Sequence, residues 1–300
     1  MPIPCPGRLV GNLHVLAKGD GRPIVVLEAG IAASSLSWAA VQDRVAAFAR
    51  VLSYDRAGFG WSAEDNRPGT AADAAEALAA MLAESGERGP FIAVGHSFGG
   101  LIVRIFQQRF PDRVAGMVLV DPVVRTEWRN LEEGRRRMLA RGVNLSRRGA
   151  LLARLGVVRA TLSLLMSGSR RVPQLMAKIS AGKGAPVTNR LAGEVRKMPR
   201  ELWPAIAQHW SEAKSFRAMA NNLENLPVSV AQLDEMRSMG DLPLIVLSAG
   251  KGNPEHERES RLSTRGELVR VPAAGHWIQL DDPDAVVLAI RQTVERVREA

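Results

Sequence analysis

Short apolar runs alternate along this chain with longer stretches in which apolar residues return every three or four positions, the patterns of strands and amphipathic helices. Arg8 to Val15 alternates loosely around Gly11 and predicts a pair of short edge strands, with Gly19-Asp20-Gly21 as a turn. Pro23 to Leu27 is a β-branched run that reads as a buried strand, Trp38 to Arg50 has helical spacing, and Val51 to Tyr54 is the next strand. Thr70 caps an alanine-rich helix to about Glu84, which stops at Ser85-Gly86. Phe91 to His96 is a strand, a helical pattern runs on from Leu101, and Val114 to Val120 follows the turn Pro111-Asp112-Arg113 as another strand. From Val123 to about Gly240 the spacing is helical without a convincing strand. Alternation resumes at Leu242 to Leu247, then come a short helix near Glu255 to Leu262, a strand at Glu267 to Val271 and an amphipathic helix from Pro283 to Glu299. Strands alternating with helices predict an α/β fold, a mostly parallel central sheet with helices on both faces. Residues 123–240 read as a helical cap inserted between two core segments, 1–122 and 241–300, at the carboxyl edge of the sheet where such folds bind ligands.

Composition narrows this picture. With 300 residues, 46% of them hydrophobic, the chain can bury the core of one large domain with an insertion. One cysteine, Cys5, allows neither an internal disulfide nor a cysteine metal cluster. The opening residues Met1 to Pro6 have neither the basic nor the apolar region of a signal peptide. No uncharged apolar run reaches the roughly 18 residues of a spanning helix, so a cytoplasmic location is expected. The formal net charge of +9 invites an anionic partner, but no nucleic-acid module accompanies it. Between Pro122 and Pro204, 18 Arg and Lys stand against five acids, so the excess lies in or near the cap. There, Leu151-Leu152-Ala153-Arg154-Leu155 continues to Leu164-Leu165-Met166, flanked by Arg147, Arg148, Arg170 and Arg171. Two readings stand open: the cap makes peripheral contact with an anionic membrane, or these leucines pack on the core of the lid beneath a solvated arginine face.

The clearest chemical signal is Gly95-His96-Ser97-Phe98-Gly99-Gly100, a Gly-x-Ser-x-Gly turn between a predicted strand and a predicted helix. Such a turn holds its serine at strained dihedrals and needs small neighbours, hence Gly95 and Gly99, with Gly100 allowing close helix–strand packing. It lifts the Ser97 hydroxyl into a cleft and aims the Phe98 N–H at the same space.

With Leu27-Glu28-Ala29-Gly30, Tyr54-Asp55-Arg56-Ala57-Gly58-Phe59-Gly60-Trp61-Ser62 and Gly275-His276-Trp277-Ile278-Gln279-Leu280 in the same order, the chain resembles the capped, esterase- or lipase-like serine hydrolases of the α/β-hydrolase fold superfamily. The likeness spans both core segments and leaves the cap uncovered. It implies Ser97 as nucleophile, His276 as base, and the Phe98 and Ile31 N–H groups as oxyanion donors. The family usually has His-Gly where this chain has Ala29-Gly30, a change that leaves a backbone donor intact. The family often places its acid just after the strand written here Leu244 to Leu247, but Ser248 to Asn253 contains no carboxylate. Some capped relatives place it one strand earlier, where Asp121 stands. Asp121 is therefore preferred, with Glu255 next and Glu257 behind it.

A serine hydroxyl needs a base within hydrogen-bond reach, and the base needs a third group to fix its tautomer. The expected chemistry is cofactor-free and metal-free cleavage of a small, apolar carboxylic ester; a C–C bond hydrolase or perhydrolase could use the same three residues, and a silent fold binding lipid or another ligand is the alternative of another class. An aspartate in place of Ser97 would have suggested dehalogenase or epoxide-hydrolase chemistry. Trp203, Trp210 and Met219 either line an acyl pocket or form cap core. Of the other titratable residues, His96 is expected to pack under the turn, and His14, His209 and His256 to lie on the surface or in the cap. Asp55 and Arg56 are expected to order their own glycine loop, Glu28 to be a hydrogen-bonded core carboxylate, and Asp281, Asp282 and Asp284 to mark a helix N-terminus.

Overall fold

The computed structural model describes residues 5–166, 194, 196–234, 236 and 238–299. Eight strands form one sheet in the order β1-β2-β4-β3-β5-β6-β7-β8: β1 (Arg8–Val10), β2 (Leu13–Lys18), β3 (Ile24–Glu28), β4 (Val51–Tyr54), β5 (Phe91–His96), β6 (Val114–Val120), β7 (Leu244–Ala249) and β8 (Gly266–Val271). β1 pairs antiparallel with β2, and β2 with β4; every other pairing is parallel. Apart from polar residues near their carboxyl ends, the central strands β3, β5, β6 and β7 are apolar because both faces are covered. Along β5, Phe91 and Ala93 enter the layer shared with α2 (Ala71–Glu84) and α3 (Phe98–Arg109), whereas Ile92 and Val94 enter the layer shared with α1 (Ala39–Val45) and, at the chain's end, Val286, Ile290 and Val294. Each fully buried side chain of this size contributes roughly 1.5–3 kcal/mol, so the parallel strands form a rigid platform for the loops at their carboxyl ends.

The helix boundaries have local causes. Thr70 and Asp73 form a capping box at the start of α2, and Gly86, at φ 76°, follows its end. Trp38 to Arg50 is shorter as a helix than its spacing predicts: a 3-10 turn at Ser35–Trp38 leads into α1, which ends at Val45.

Between β6 and β7 the described residues are helical or irregular. They comprise α4 (Arg125–Arg129), α5 (Glu133–Arg154), α6 (Val157–Met166), α7 (Trp203–Trp210), α8 (Ala213–Glu224) and α9 (Leu226–Ala231). Arg170, Arg171 and the positions from 167 to 193 lie outside the described residues. Beyond β7 come α10 (Pro254–Ser260), α11 (Ile278–Asp281) and α12 (Pro283–Arg298). Asp282 caps α12 through the Ala285 N–H and Asp284 lies in its first turn. Asp281 departs from the expected role: it accepts from the Gly275 N–H at 2.7 Å and pairs with Lys197, tying down the loop that carries His276.

Candidate active site

Four loops meet at the carboxyl edge of the parallel strands. The register pairs His96 of β5 with Val120 of β6, and Val120 with Leu247 of β7. The residues immediately after β5 and β6, Ser97 and Asp121, therefore leave the sheet at one level. Ser97 sits at φ 53° and ψ −116°, a conformation that costs a non-glycine residue of order 1–3 kcal/mol. Backbone bonds hold it there: its N–H donates to Val120 O at 3.0 Å, and its carbonyl accepts from Gly100 and Val123. The flanking glycines are obligatory. A Cβ on Gly95 would meet Gly99 O at 2.5 Å, and one on Gly99 would meet Glu28 O at 2.4 Å.

His276, in the loop after β8, brings Nε2 to 3.0 Å from the Ser97 hydroxyl and Nδ1 to 2.6 Å from Asp121 Oδ2. The carboxylate can only accept, so Nδ1 carries the proton and Nε2 offers its lone pair to the Ser97 O–H. Asp121 stands at φ 41° at the tip of β6, and its other oxygen accepts from the Ala249 N–H at 3.0 Å. Thus the tip of β7, which has no acid, supplies a donor to the acid on β6. Burial alone would raise the Asp121 pKa, but the His276 and Ala249 hydrogen bonds outweigh it and hold the carboxyl below its usual range. Glu255 takes no part in the Ser97–His276–Asp121 hydrogen bonds; it pairs with Arg258 on α10, while Glu257 pairs with Arg261.

Phe98 is the first residue of α3, so its N–H has no acceptor within the helix. A Cβ on Gly30 would come within 3.4 Å of Ser97 Cβ and 2.9 Å of His96 Nδ1, which places the Gly30–Ile31 link beside the serine. Arg56 braces that link rather than its own glycine loop. Its guanidinium donates to Glu28 Oε1 and Ala29 O, each at 2.5 Å, and to Gly30 O at 2.7 Å. Tyr54 donates its hydroxyl to the same Glu28, which is fully buried as expected. Asp55 does order the glycine loop, accepting from the Trp61 N–H at 3.1 Å and from the Ser35 N–H at 2.7 Å. A cavity of about 610 Å³ opens on the far side of Tyr54 and Arg56, edged by Arg67, Arg147 and Arg217; none of Ser97, Asp121 or His276 lines it.

Two histidines expected on the surface or in the cap are core residues. His14 is fully buried on β2, and the antiparallel pairing of β2 with β4 puts it against Asp55, with Nδ1 to Oδ2 at 2.9 Å. Its pKa is raised: burial lowers it, but Asp55 and the Pro6 carbonyl outweigh burial. His256 is buried on α10, where Nε2 donates to Pro122 O at 3.0 Å and Nδ1 accepts from the Ser248 hydroxyl at 2.7 Å. It clamps the residue after Asp121 to the tip of β7. His209 lies on α7 but is buried edge-on against Trp61. Trp203 donates its indole N–H to Met198 O, and Trp210 packs with Leu36, Met198 and Ile206.

His96 lies under the turn and does more than fill space, because its Nε2 donates to the main-chain carbonyl of His276 at 2.9 Å. Burial, then the nearby His276, holds its pKa down to about 3. Between that value and the ordinary 6.5 the unfolded chain binds a proton that the native chain refuses, so stability is lost as the pH drops through this window. On acidification from pH 7 to 4, urea denaturation should show His96→Gln gaining about 3 kcal/mol on the unaltered protein. An unchanged gap between the two would show that His96 does not resist protonation.

A serine, a histidine and an aspartate delivered by separate loops to one edge of a mostly parallel sheet, with helices on both faces, define an α/β hydrolase architecture. The chain belongs to the alpha/beta hydrolase family, whose pattern matches residues 24–289. It is 32% identical over 136 residues to the lipase LipV of Mycobacterium tuberculosis, covering 44% of this chain and 50% of LipV. Among solved structures it resembles a thermophilic esterase from Thermogutta terrifontis, with TM-score 0.64, 22% identity and coverage of 95% of this chain and 93% of that one. It also resembles a Pseudomonas aeruginosa protein assigned as an epoxide hydrolase, with TM-score 0.70, 19% identity and coverage of 96% and 93%. At these identities the structural likeness establishes the fold alone. The chain spans 17 to 42% of the length of the first three curated relatives it matches.

Proposed function

We propose that this hydrolase cleaves carboxylic esters through an acyl-enzyme on Ser97, without a cofactor. The observation that carries the reading is the continuous chain from Ser97 Oγ through His276 to Asp121, at 3.0 and 2.6 Å. His276 Nε2 takes the hydroxyl proton as Ser97 Oγ attacks the ester carbonyl carbon, and Asp121 stabilises the imidazolium so formed. The oxyanion of the tetrahedral intermediate takes hydrogen bonds from the Phe98 and Ile31 N–H groups, worth about 3 kcal/mol per donor. Collapse breaks the bond to the leaving alkoxide, which takes the proton from His276. Water, deprotonated by the same imidazole, then releases the acid and restores Ser97. Serine at position 97 favours this over the alkyl-enzyme route that an aspartate would provide. In this reading residues 123–240 form a cap over the site and select an apolar substrate.

A fluorophosphonate probe tests the proposal. It is expected to label the protein once, at Ser97, and Ser97→Ala should abolish labelling while far-UV circular dichroism stays unchanged. A panel of p-nitrophenyl esters of increasing acyl length then reads the preferred chain. Labelling that survives Ser97→Ala, or its absence from the unaltered protein, overturns the reading.

A further inference from the structure

Helix α5 buries its small residues and, apart from Leu139, which packs against the main core, exposes its leucines. Val143, Ser146 and Ala150 are buried, and Gly142 and Gly149 lie on the same side, against α8. The fit is close enough that a Cβ on Gly149 would meet the Phe216 ring at 2.5 Å. Beside that buried stripe, on its exposed flank, run Met138, Leu145 and Leu152, which recur every seventh residue and so align along the helix. Leu151, Leu155 and, at the start of α6, Val157 extend this exposed surface; Leu151 is 58% exposed and Leu155 69%. These leucines therefore do not pack on the core of the helical segment, which closes the second of the two readings of this region for them. Isolated exposed leucines are ordinary, but an aligned set on one face is not.

The charge on this surface has one sign. Arg141 and Arg148 lie among the leucines, Arg154 and Arg159 lie at their edge, and all four are exposed. Among the described residues no carboxylate pairs with any of them; the paired arginines Arg137 and Arg147 have their own partners, Glu133 and Glu224. A second copy of the chain docked here about a two-fold axis would set Arg141 and Arg148 against arginines of the same face. A polynucleotide would satisfy the arginines and leave the leucines in water. An anionic bilayer satisfies both, since leucines enter the acyl boundary while arginine stems lie along it and their heads reach the phosphates. No helix among the described residues is long and apolar enough to cross a membrane. We infer that the exposed face of α5, with the first turn of α6, is a peripheral docking surface for an anionic phospholipid membrane.

The test is flotation of the full chain with vesicles of phosphatidylcholine and phosphatidylserine, against phosphatidylcholine alone, at low and high salt. Two variants separate the contributions: Leu145→Gln/Leu151→Gln/Leu152→Gln/Leu155→Gln, and Arg141→Gln/Arg148→Gln/Arg154→Gln/Arg159→Gln. The unaltered protein should float with the anionic vesicles and lose binding as salt rises. Each variant should partition at least about tenfold more weakly while keeping its circular dichroism spectrum. Three results overturn the inference: no flotation of the unaltered protein, undiminished flotation of the leucine variant (adsorption by net charge alone), or a concentration-dependent dimer that the leucine variant abolishes.

Discussion

Asp121→Asn is expected to lower kcat/KM by about 10³–10⁴-fold, the scale set by loss of the correct tautomer in serine triads. The reason lies in how the carboxylate is divided. One oxygen accepts from the Ala249 N–H and the other from His276 Nδ1. An asparagine has one acceptor to offer, and the fixed backbone donor at Ala249 claims it. The amide NH2 then faces His276 Nδ1, which must become an acceptor, so the ring proton moves to Nε2 and the lone pair that would receive the Ser97 proton is lost. Asparagine tolerates the φ of 41° at this position, so the fold should survive. Glu255→Gln removes only a salt bridge to Arg258 and should change kcat/KM less than about threefold. Steady-state kinetics of the two variants decide the assignment. It fails if Glu255→Gln loses orders of magnitude and Asp121→Asn does not.

What could be read from the sequence was what the chain encodes locally. The strands β3, β5, β6 and β7 stood out because parallel strands buried on both faces must be apolar runs. The turn at Ser97 stood out because its backbone excludes a Cβ at positions 95 and 99. What stayed hidden depended on residues far apart in the chain. His14 meets Asp55 only because β2 folds back antiparallel on β4, and a single histidine without a spaced partner gives no hint of that. His256 was hidden for the same reason, since its partners are a serine and a main-chain carbonyl. In α5 the leucine pattern is plain, but it is Gly149 against Phe216 that decides which face turns inward. The reach of Arg56 back to the segment after β3 was likewise invisible, although the residue itself was singled out.

Arg56→Met should cost about 3–5 kcal/mol of stability, because it strands the buried Glu28 carboxylate. The expected functional loss is separate. Gly30 O accepts from the Arg56 guanidinium at 2.7 Å and from the Ala33 N–H at 3.3 Å. In a planar trans peptide the Ile31 N–H points opposite to the Gly30 carbonyl, so a guanidinium holding that carbonyl also aims the proposed oxyanion donor. The same guanidinium lies over the Phe98 ring, next to the other donor, at 5.7 Å. Lysine keeps the charge but cannot span three acceptors on two neighbouring peptides and a carboxylate, so Arg56→Lys should behave like the methionine variant in kcat. Adding Glu28→Gln to Arg56→Met removes the stranded charge and should restore much of the stability in urea denaturation. It leaves Gly30 O without its guanidinium, so kcat should remain about 10²-fold low with KM little changed, the pattern of a lost transition-state contact. If kcat recovers together with stability in the double variant, Arg56 holds the core together and has no part in aiming Ile31.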